Sequence, residues 1–260
     1  MRDLVPDDTA KRPFGYFVHH QGRGHAERCA AIVNALPTDR PVTIFCARDD
    51  IFPPLTARAR IVTIPSLFER TGAECDMDHV PTPDTLHCAP LGWPGIRQAM
   101  GRIAGWFASD DPALMICDVS AEIAQLSRIC SVPHVKILQH GDRGDQGHQA
   151  AYAGAVGLLA PFSAALAQPD WQPFSDRIHY APGLGIPAIT PPDRAAARRA
   201  LGLDPDRPVA LLVSGAGGTG FAQAPMGVAA RAFPDWHWMT IGTTQPDWHA
   251  TQGGNLTHRG

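Results

Sequence analysis

The sequence predicts an α/β protein built from parallel β-sheets, and three observations support this fold class. Apolar runs with the length of β-strands alternate with segments of helical periodicity. Some of these runs, such as "ALMIC" and "VGLLA", are apolar throughout, as expected for central strands buried on both faces. Glycine-rich turns follow two of the runs. This alternation favours Rossmann-like domains, in which helices cover both faces of a parallel sheet.

The strands predicted for the first domain recur along the chain and are Gly15–His19, Val42–Cys46, Ile61–Pro65, Leu114–Asp118, His134–Gln139, Gly157–Pro161 and Ile178–Ala181. Helical periodicity is clear in three segments between them, which are His25–Leu36, Trp93–Phe107 and Ala121–Cys130. The proline-rich segment 76–94 predicts a long loop.

A domain boundary is predicted near Pro191, because the segment "PGLGIPAITPPD" is rich in proline and glycine. The first domain is expected over residues 1–190 and the second over residues 191–260. The second begins with a short helix closed by Gly202 and continues with "RPVALLVSGAGGTG". Only "HWMTIG" follows as a clear strand, and two strands with one helix are too few for a sheet of ordinary size. We therefore expect an incomplete second domain, in a fragment, a truncated gene product or a shortened homologue.

The composition excludes several classes of partner. The chain has 22 basic and 25 acidic residues, a net charge of −3, and so no general field that attracts nucleic acid. Its six cysteines form no CxxC pair, which indicates reduced, structural thiols. The polar start and the absence of an apolar run near 20 residues predict a cytoplasmic protein without a membrane span. Partners must therefore be recognised locally.

Both glycine turns follow a strand and precede a helix, an arrangement that directs backbone N–H groups toward a phosphate or another anion. The second turn, "GAGGTG", formally satisfies GxGxxG. However, no acidic residue ends the next strand, where a dinucleotide-binding protein would hold the ribose, and no lysine completes a Walker motif. In the first turn, Gly22 and Gly24 are followed by Glu27 at the third glycine position. A nicotinamide oxidoreductase is therefore disfavoured.

The segment "HHQGRGHAERCAAIVNAL" resembles the first glycine loop and helix of GT-B glycosyltransferases of the MurG-like type, glycosyltransferase family 28. The segment "ICDVSAEIAQLSRICSVPHVKILQHGDRGDQGH" is similar to the central strand, helix and strand of the same family. "RPVALLVSGAGGTG" resembles the start of its nucleotide-sugar domain. The resemblance extends over roughly residues 14–242, and the order of the motifs carries it more than any single one.

The resemblance implies two Rossmann-like domains that face each other across a cleft, the first for an acceptor and the second for the donor. It implies transfer of a sugar from a nucleotide-diphosphate sugar, first of all a UDP-sugar, to an acceptor hydroxyl. Inversion is expected, with no metal and no cofactor, because helix ends and positive side chains stabilise the leaving diphosphate. The residues expected to hold this diphosphate are Ser214, Gly215, Gly217, Gly218 and Thr219.

By the same resemblance His25 is the general base, and Asp118, at the same carboxyl edge of the sheet, orients its imidazole. Simpler alternatives stay open: His25 as a solvent-exposed or capping side chain, and Asp118 or Ser120 as the N-cap of the following helix. The residues expected to line the acceptor side of the cleft are Gly22, Gly24, Arg28, Glu122, Asp142, Arg143, Asp145 and His148. A solvated role for these charged side chains is the alternative.

No metal site is expected, because His19, His20 and His25 lack a carboxylate or cysteine that would complete a ligand set. Two further functions stay open: a nucleotide-sugar hydrolase on the same fold and a non-catalytic protein. Peripheral contact with the inner face of a membrane would need an exposed apolar patch, for which Leu67–Phe68 and Leu91–Trp93 are the candidates.

Overall fold

A computed structural model describes residues 12–77, 79–186, 190–215, 220–245 and 254–259. The chain divides into two compact units, Met1–Pro187 and Ala188–Gly260. Among the described residues, no helix has the length and apolar character needed to cross a membrane.

The strands of the first unit are β1 (Phe14–Phe17), β2 (Val42–Cys46), β3 (Ala59–Thr63), β4 (Leu114–Asp118), β5 (His134–Ile137), β6 (Gly157–Ala160) and β7 (Ile178–Tyr180). Its α-helices are α1 (Arg23–Ala35), α2 (Pro94–Asp110), α3 (Ala121–Ile129) and α4 (Gln146–Gly154). Two 3₁₀ segments, Ala164–Leu166 and Pro169–Arg177, precede β7.

Within the described part of this unit the seven strands form one sheet, in the order β3-β2-β1-β4-β5-β6-β7, and every pair is parallel. Both faces are buried. On one face Tyr16 and Val33 belong to a core that includes α1, and on the other Phe17, Ile103 and Ile123 belong to a core that includes α2 and α3. The predicted parallel α/β sheet is confirmed.

The strand predictions agree with the structure best in two strands that are almost completely buried. β2 and β4 have the predicted bounds, and the other strands of this unit differ from theirs by at most two residues at either end. α1 begins at Arg23, two residues before the predicted start. α4 was not predicted, because its sequence "QGHQAAYAG" contains two glycines and little apolar periodicity.

The second unit contains α5 (Arg194–Leu201), β8 (Val209–Val213), β9 (Phe221–Ala222), α6 (Gln223–Ala232), β10 (His237–Ile241), β11 (Thr244–Gln245) and β12 (Leu256–Arg259). Gly202 closes α5 in the left-handed region at φ 68°, as predicted. In the described residues a parallel sheet has the order β12-β10-β8, and β9 pairs with β11. The expectation of only two strands was wrong, because β12 pairs with β10 along Trp238–Ile241.

Candidate active site

The sheet topology brings His25 and Asp118 together. β1 is hydrogen-bonded to both β2 and β4, so the order of the strands reverses at β1. The ends of β1 and β4 are neighbours, and the loops that follow these two strands lead away from each other. Phe17 and Cys117 are partners in the parallel register, which places Asp118 beside the exit of β1. A crevice at such a reversal is where open α/β sheets bind ligands. Two residues 93 positions apart thereby meet at one edge.

The first glycine turn sets the position of His25. Gly22 is the N-cap of α1 with φ 85° and ψ 144°, a conformation essentially restricted to glycine, and no side chain caps this end of the helix. Because α1 begins at Arg23, His25 lies in the first turn of the helix rather than at its start. Its side chain is 19% exposed, so the ring reaches solvent.

Asp118 is completely buried, and three side chains bind its carboxylate. Arg28 donates from Nη2 to Oδ1 at 2.8 Å and from Nε to Oδ2 at 2.9 Å, a bidentate pairing. His25 Nδ1 lies 3.2 Å from Oδ1, and the Tyr16 hydroxyl donates to Oδ2 at 3.4 Å. Asp118 is therefore the centre of the cluster.

Electrostatics keep this carboxyl ionised. Burial alone would raise the pKa of Asp118, but the hydrogen bond with His25 and the charge of Arg28 outweigh burial and lower it to about 2. The pKa of Arg28 is raised, because Asp118 outweighs the effect of burial on the guanidinium. Burial, followed by the Asp118 charge, raises the pKa of Tyr16 well above its usual value, so its hydroxyl stays a donor.

The proton on His25 Nδ1 decides what the imidazole can do. Nδ1 is 3.2 Å from Asp118 Oδ1 but also 2.9 Å from Arg28 Nη2, and an arginine can only donate. With a proton on Nδ1, the ring donates to Asp118 and Nε2 carries the free lone pair. Among the described residues no hydrogen bond involves Nε2. In this tautomer Nε2 is an accessible base supported by a buried carboxylate.

Either Asp118 or Ser120 was expected as the N-cap of α3, and in the structure the cap is Ser120. Ser120 is the N-cap of α3, and its Oγ accepts from Ile123 N at 3.2 Å. Asp118 lies two residues earlier and is not the N-cap of α3. Glu122 is buried and accepts from the backbone N–H groups of His87 and Cys88 at 3.1 and 2.7 Å, so it fastens the long loop before α2.

His19 and His20 lie beside this cluster. The His19 ring stacks on Phe68 with the centroids 4.6 Å apart, and its Nδ1 accepts from Gln21 N. Burial, with the neighbouring His25 and His20 rings, lowers the pKa of His19 to about 4, so it is neutral at neutral pH. His20 Nε2 lies 2.7 Å from Glu69 Oε1. Both rings have partners of their own; Glu69 was not identified from the sequence, and Phe68 was identified only as part of a possible membrane patch.

The other predicted cleft residues lie after β5, in a second cluster. Asp145 is the N-cap of α4, with Oδ1 accepting from His148 N at 3.1 Å and Oδ2 lying 2.5 Å from His148 Nδ1. Arg143 Nη1 is 3.1 Å from Nε2 of the buried His148. Asp142, Asp145 and His87 line a cavity of about 510 Å³. Asp142 and Asp145 thus adjoin a cavity, whereas Arg143 and His148 are not part of its lining.

The second cluster brings together three side chains that could bind a metal, but the hydrogen bonds of His148 place a proton on one of the ligand nitrogens. Each of three residues offers one potential ligand atom, and these atoms lie within 4.8 Å of one another; the residues are His87, Asp145 and His148. Arg143 can only donate to His148 Nε2, which leaves the ring proton on Nδ1, directed at Asp145. A metal would have to displace that proton from the nitrogen next to Asp145. Burial lowers the pKa of His148, even though Asp145 opposes this effect.

In the second unit Ser214 and Gly215 follow β8, as predicted, whereas Gly217, Gly218 and Thr219 lie outside the described residues. Ser214 N donates to Ile241 O at 2.9 Å, which joins the loops after β8 and β10. A Cβ atom on Gly242 would lie 2.2 Å from Ser214 O, so only glycine permits this approach.

Neither a protein-family model nor a curated protein matches the chain. Solved structures do match it at low sequence identity. A UDP-glucosyltransferase from Polygonum tinctorium has a TM-score of 0.52 and 12% identity, over 95% of this chain and 73% of its own. UGT89C1 from Arabidopsis thaliana, solved with UDP, has a TM-score of 0.55 and 13% identity, over 95% and 71%. CalG4, the calicheamicin glycosyltransferase, has a TM-score of 0.52 and 15% identity, over 96% and 70%.

These similarities show the fold: the chain has the Rossmann-like GT-B fold of the glycosyltransferases it matches. The fold class predicted from the sequence is confirmed. The narrower resemblance to the MurG-like type is not tested by these structures.

Proposed function

We propose that the chain is a glycosyltransferase that transfers a sugar from a nucleotide-diphosphate sugar to an acceptor hydroxyl. The observation that carries the proposal is the pairing of His25 with the buried, ionised Asp118 at the strand reversal of a GT-B fold. With the proton on Nδ1, this pairing leaves His25 Nε2 as a basic nitrogen at the crevice, with no competing partner among the described residues. Two of the matched structures, a UDP-glucosyltransferase and a complex with UDP, support a UDP-sugar as the donor.

In the proposed reaction His25 Nε2 accepts the acceptor hydroxyl proton as the hydroxyl oxygen attacks the anomeric carbon. The bond from this carbon to the diphosphate breaks, and the diphosphate leaves with the electron pair. Attack from the face opposite the leaving group inverts the anomeric configuration. Asp118 stabilises the imidazolium that forms and holds the ring through Nδ1. The negative charge of Asp118, which stabilises the imidazolium, is thus in place before substrate binds.

The remaining assignments extend this proposal. Backbone N–H groups and hydroxyls of Ser214, Gly215, Gly217, Gly218 and Thr219 hold the leaving diphosphate, without a metal. Asp142 and Asp145, beside the 510 Å³ cavity, contact the acceptor. Gly22 and Gly24 shape the acceptor side of the crevice, and the chain acts in the cytoplasm as a glycosyltransferase of the MurG-like type.

Peripheral contact with a membrane is proposed through one apolar loop only. Leu67 is 4% exposed and packs in the core together with Phe68, so the predicted Leu67–Phe68 patch is not available. Leu91 is 45% exposed, so the second candidate patch, Leu91–Trp93, remains available for membrane contact.

The proposal is tested by incubating the chain with UDP-sugars and a panel of hydroxyl acceptors and measuring UDP release and product. We expect acceptor-dependent release that persists in EDTA, with inverted anomeric configuration by NMR. His25→Ala should abolish most of it. His179→Ala removes an exposed histidine of β7 and is the matched control, with unchanged activity expected.

Two results would contradict the proposal. Sugar released equally fast without any acceptor would indicate a nucleotide-sugar hydrolase. Binding of UDP without turnover, unaffected by His25→Ala, would indicate a non-catalytic protein.

A further inference from the structure

Lys136 is a buried lysine that the proposed reaction does not use. It lies on β5, is 2% exposed, and forms no ion pair with any carboxylate in the described part of the chain. Its ammonium donates to Val119 O at 2.6 Å and to Ile137 O at 3.2 Å. Removing an ammonium group from water costs free energy, and burial lowers its pKa to about 8. Such a residue is expected to serve a specific purpose.

The carbonyl that Lys136 holds belongs to a strained turn. Val119 has φ 79°, a genuine outlier for a β-branched residue. Ser120 N donates to Asp118 O at 3.2 Å, so residues 118–120 form a γ-turn whose central φ is positive, which is rare and strained. The turn directly joins Asp118 to Ser120, the cap of α3. The strained residue is therefore adjacent to the carboxylate that orients His25.

The register of the sheet explains how Lys136 reaches this turn. Cys117 of β4 is paired with Lys136 of β5, so the lysine side chain begins beside the last buried residues of β4. From there its ammonium reaches past Asp118 to the next carbonyl along the chain. Without this hydrogen bond, Val119 would relax toward negative φ and turn the peptide groups on both sides of it.

We propose that Lys136 is a positioning residue: by holding the Val119 carbonyl it keeps the γ-turn formed, and thereby keeps Asp118 in hydrogen-bonding position for His25. The consequence for catalysis rests on the proposed function. The structural part, that Lys136 maintains the His25–Asp118 hydrogen bond, does not.

The experiment combines Lys136→Met, which keeps an unbranched side chain one atom shorter but removes its donors, with changes at Val119. Val119→Gly removes the strain, because glycine adopts positive φ without penalty. Val119→Ala is the matched control, since alanine loses the same methyl groups but retains the strained Cβ. Histidine ¹⁵N NMR of the full chain, with His25 assigned by comparison with His25→Ala, reports whether Nδ1 carries the proton. UDP release reports kcat and KM.

For Lys136→Met we expect a loss of the Nδ1-protonated form of His25 and a decrease in kcat of roughly 10- to 100-fold, with little change in the donor KM. Val119→Gly/Lys136→Met should recover both readouts, and Val119→Ala/Lys136→Met should not. The proposal is overturned if Lys136→Met keeps the wild-type His25 signature, or if both double variants recover equally.

Folding failure and inactivity also give decisive outcomes. If Lys136→Met does not fold, a folded Val119→Gly/Lys136→Met with the wild-type His25 signature supports the proposal, and failure of this double variant to fold better overturns it. If the wild-type chain shows no transfer at all, the proposed function fails, but the NMR signature still decides the role of Lys136.

Discussion

The first unit contains two clusters with the same side-chain types and different hydrogen bonds. In one, Asp118 is fully buried and Arg28 occupies both of its oxygens, which leaves His25 Nε2 without a partner among the described residues. In the other, Arg143 contacts His148 Nε2 instead, and Asp145 caps a helix. Both arginines contact an imidazole: Arg28 contacts His25 Nδ1, the nitrogen that faces Asp118, whereas Arg143 contacts His148 Nε2, the nitrogen away from Asp145. The ring nitrogen that the arginine contacts, rather than the composition, distinguishes the candidate base His25 from His148.

The largest expected effect comes from removing each histidine in turn. His25→Ala should lower kcat by roughly 100- to 10,000-fold, the contribution typical of a general base, with the free energy of unfolding changed by about 1 kcal/mol or less. His148→Ala should do the opposite. It removes a buried ring and the partner of Arg143, so it should lower stability by about 2 kcal/mol while transfer is largely retained.

Urea unfolding and UDP-release kinetics on the same two variants check this prediction. Equal loss of kcat in both would show that the second cluster also takes part in the reaction, and the comparison between the clusters would fail.

The carboxylates provide the second comparison. Asp118→Asn removes the buried charge that pairs with the largely buried Arg28 guanidinium, and breaking a buried pair costs about 3–5 kcal/mol. Asp145→Asn should cost less than about 1 kcal/mol, because asparagine is an equally good N-cap and the side chain is more exposed. Chemical denaturation of both variants measures the difference. Similar losses would mean that Arg28 finds another partner and that Asp118 is not the centre of its cluster.

The pH dependence of stability should separate Asp118 from its neighbours. Its pKa falls from 3.8 in the unfolded chain to about 2 in the folded one. It therefore contributes stability that is complete above pH 4 and is lost as the pH falls toward 2, roughly 2 kcal/mol in total. The pKa of His19 falls from 6.5 to about 4, so the unfolded chain takes up that proton first and stability decreases between pH 6.5 and 4.

Urea unfolding of the wild type and Asp118→Asn at a series of pH values tests this assignment. The difference in unfolding free energy between the two proteins should be constant from pH 6.5 to 4 and shrink below pH 4. A difference that shrinks already near pH 6 would assign the effect to the histidines.

Sequence reasoning identified the strand ends of this site but not its hydrogen bonds. β4 ends at Asp118 as predicted, because "LMIC" is a short buried run followed by a charge, and strand ends of a parallel sheet share one edge. The bidentate pairing of Arg28 depends on side-chain rotamers, which no spacing rule gives. Lys136 was missed for a related reason: its partner is a backbone carbonyl reached through the register of β4 and β5. The available signal was a lysine inside a buried strand, in a chain with only two lysines.

The second unit was predicted less well, because its strands are short and half-exposed. β12 alternates between intermediate and exposed positions and contains Thr257, His258 and Arg259, so no apolar run marks it. β12 is recognised as a strand by its parallel pairing with β10 and not by its composition. α5 was predicted from its closing Gly202, a local signal that does not depend on the rest of the unit.

The smallest effect expected distinguishes the two glycines before His25. Gly22 has φ 85°, and no atom lies within 4 Å of a Cβ built on it. Gly22→Ala should therefore lower the free energy of unfolding only through the unfavourable backbone conformation, by roughly 1–2 kcal/mol. Gly24 lies inside α1 with equally open surroundings and no positive φ, so Gly24→Ala should be neutral or stabilise the protein by up to about 1 kcal/mol. Thermal unfolding of the two variants measures this contrast. Because Gly22 sets where α1 begins, Gly22→Ala should also lower kcat, and by more than Gly24→Ala does; equal effects would show that the turn does not position His25.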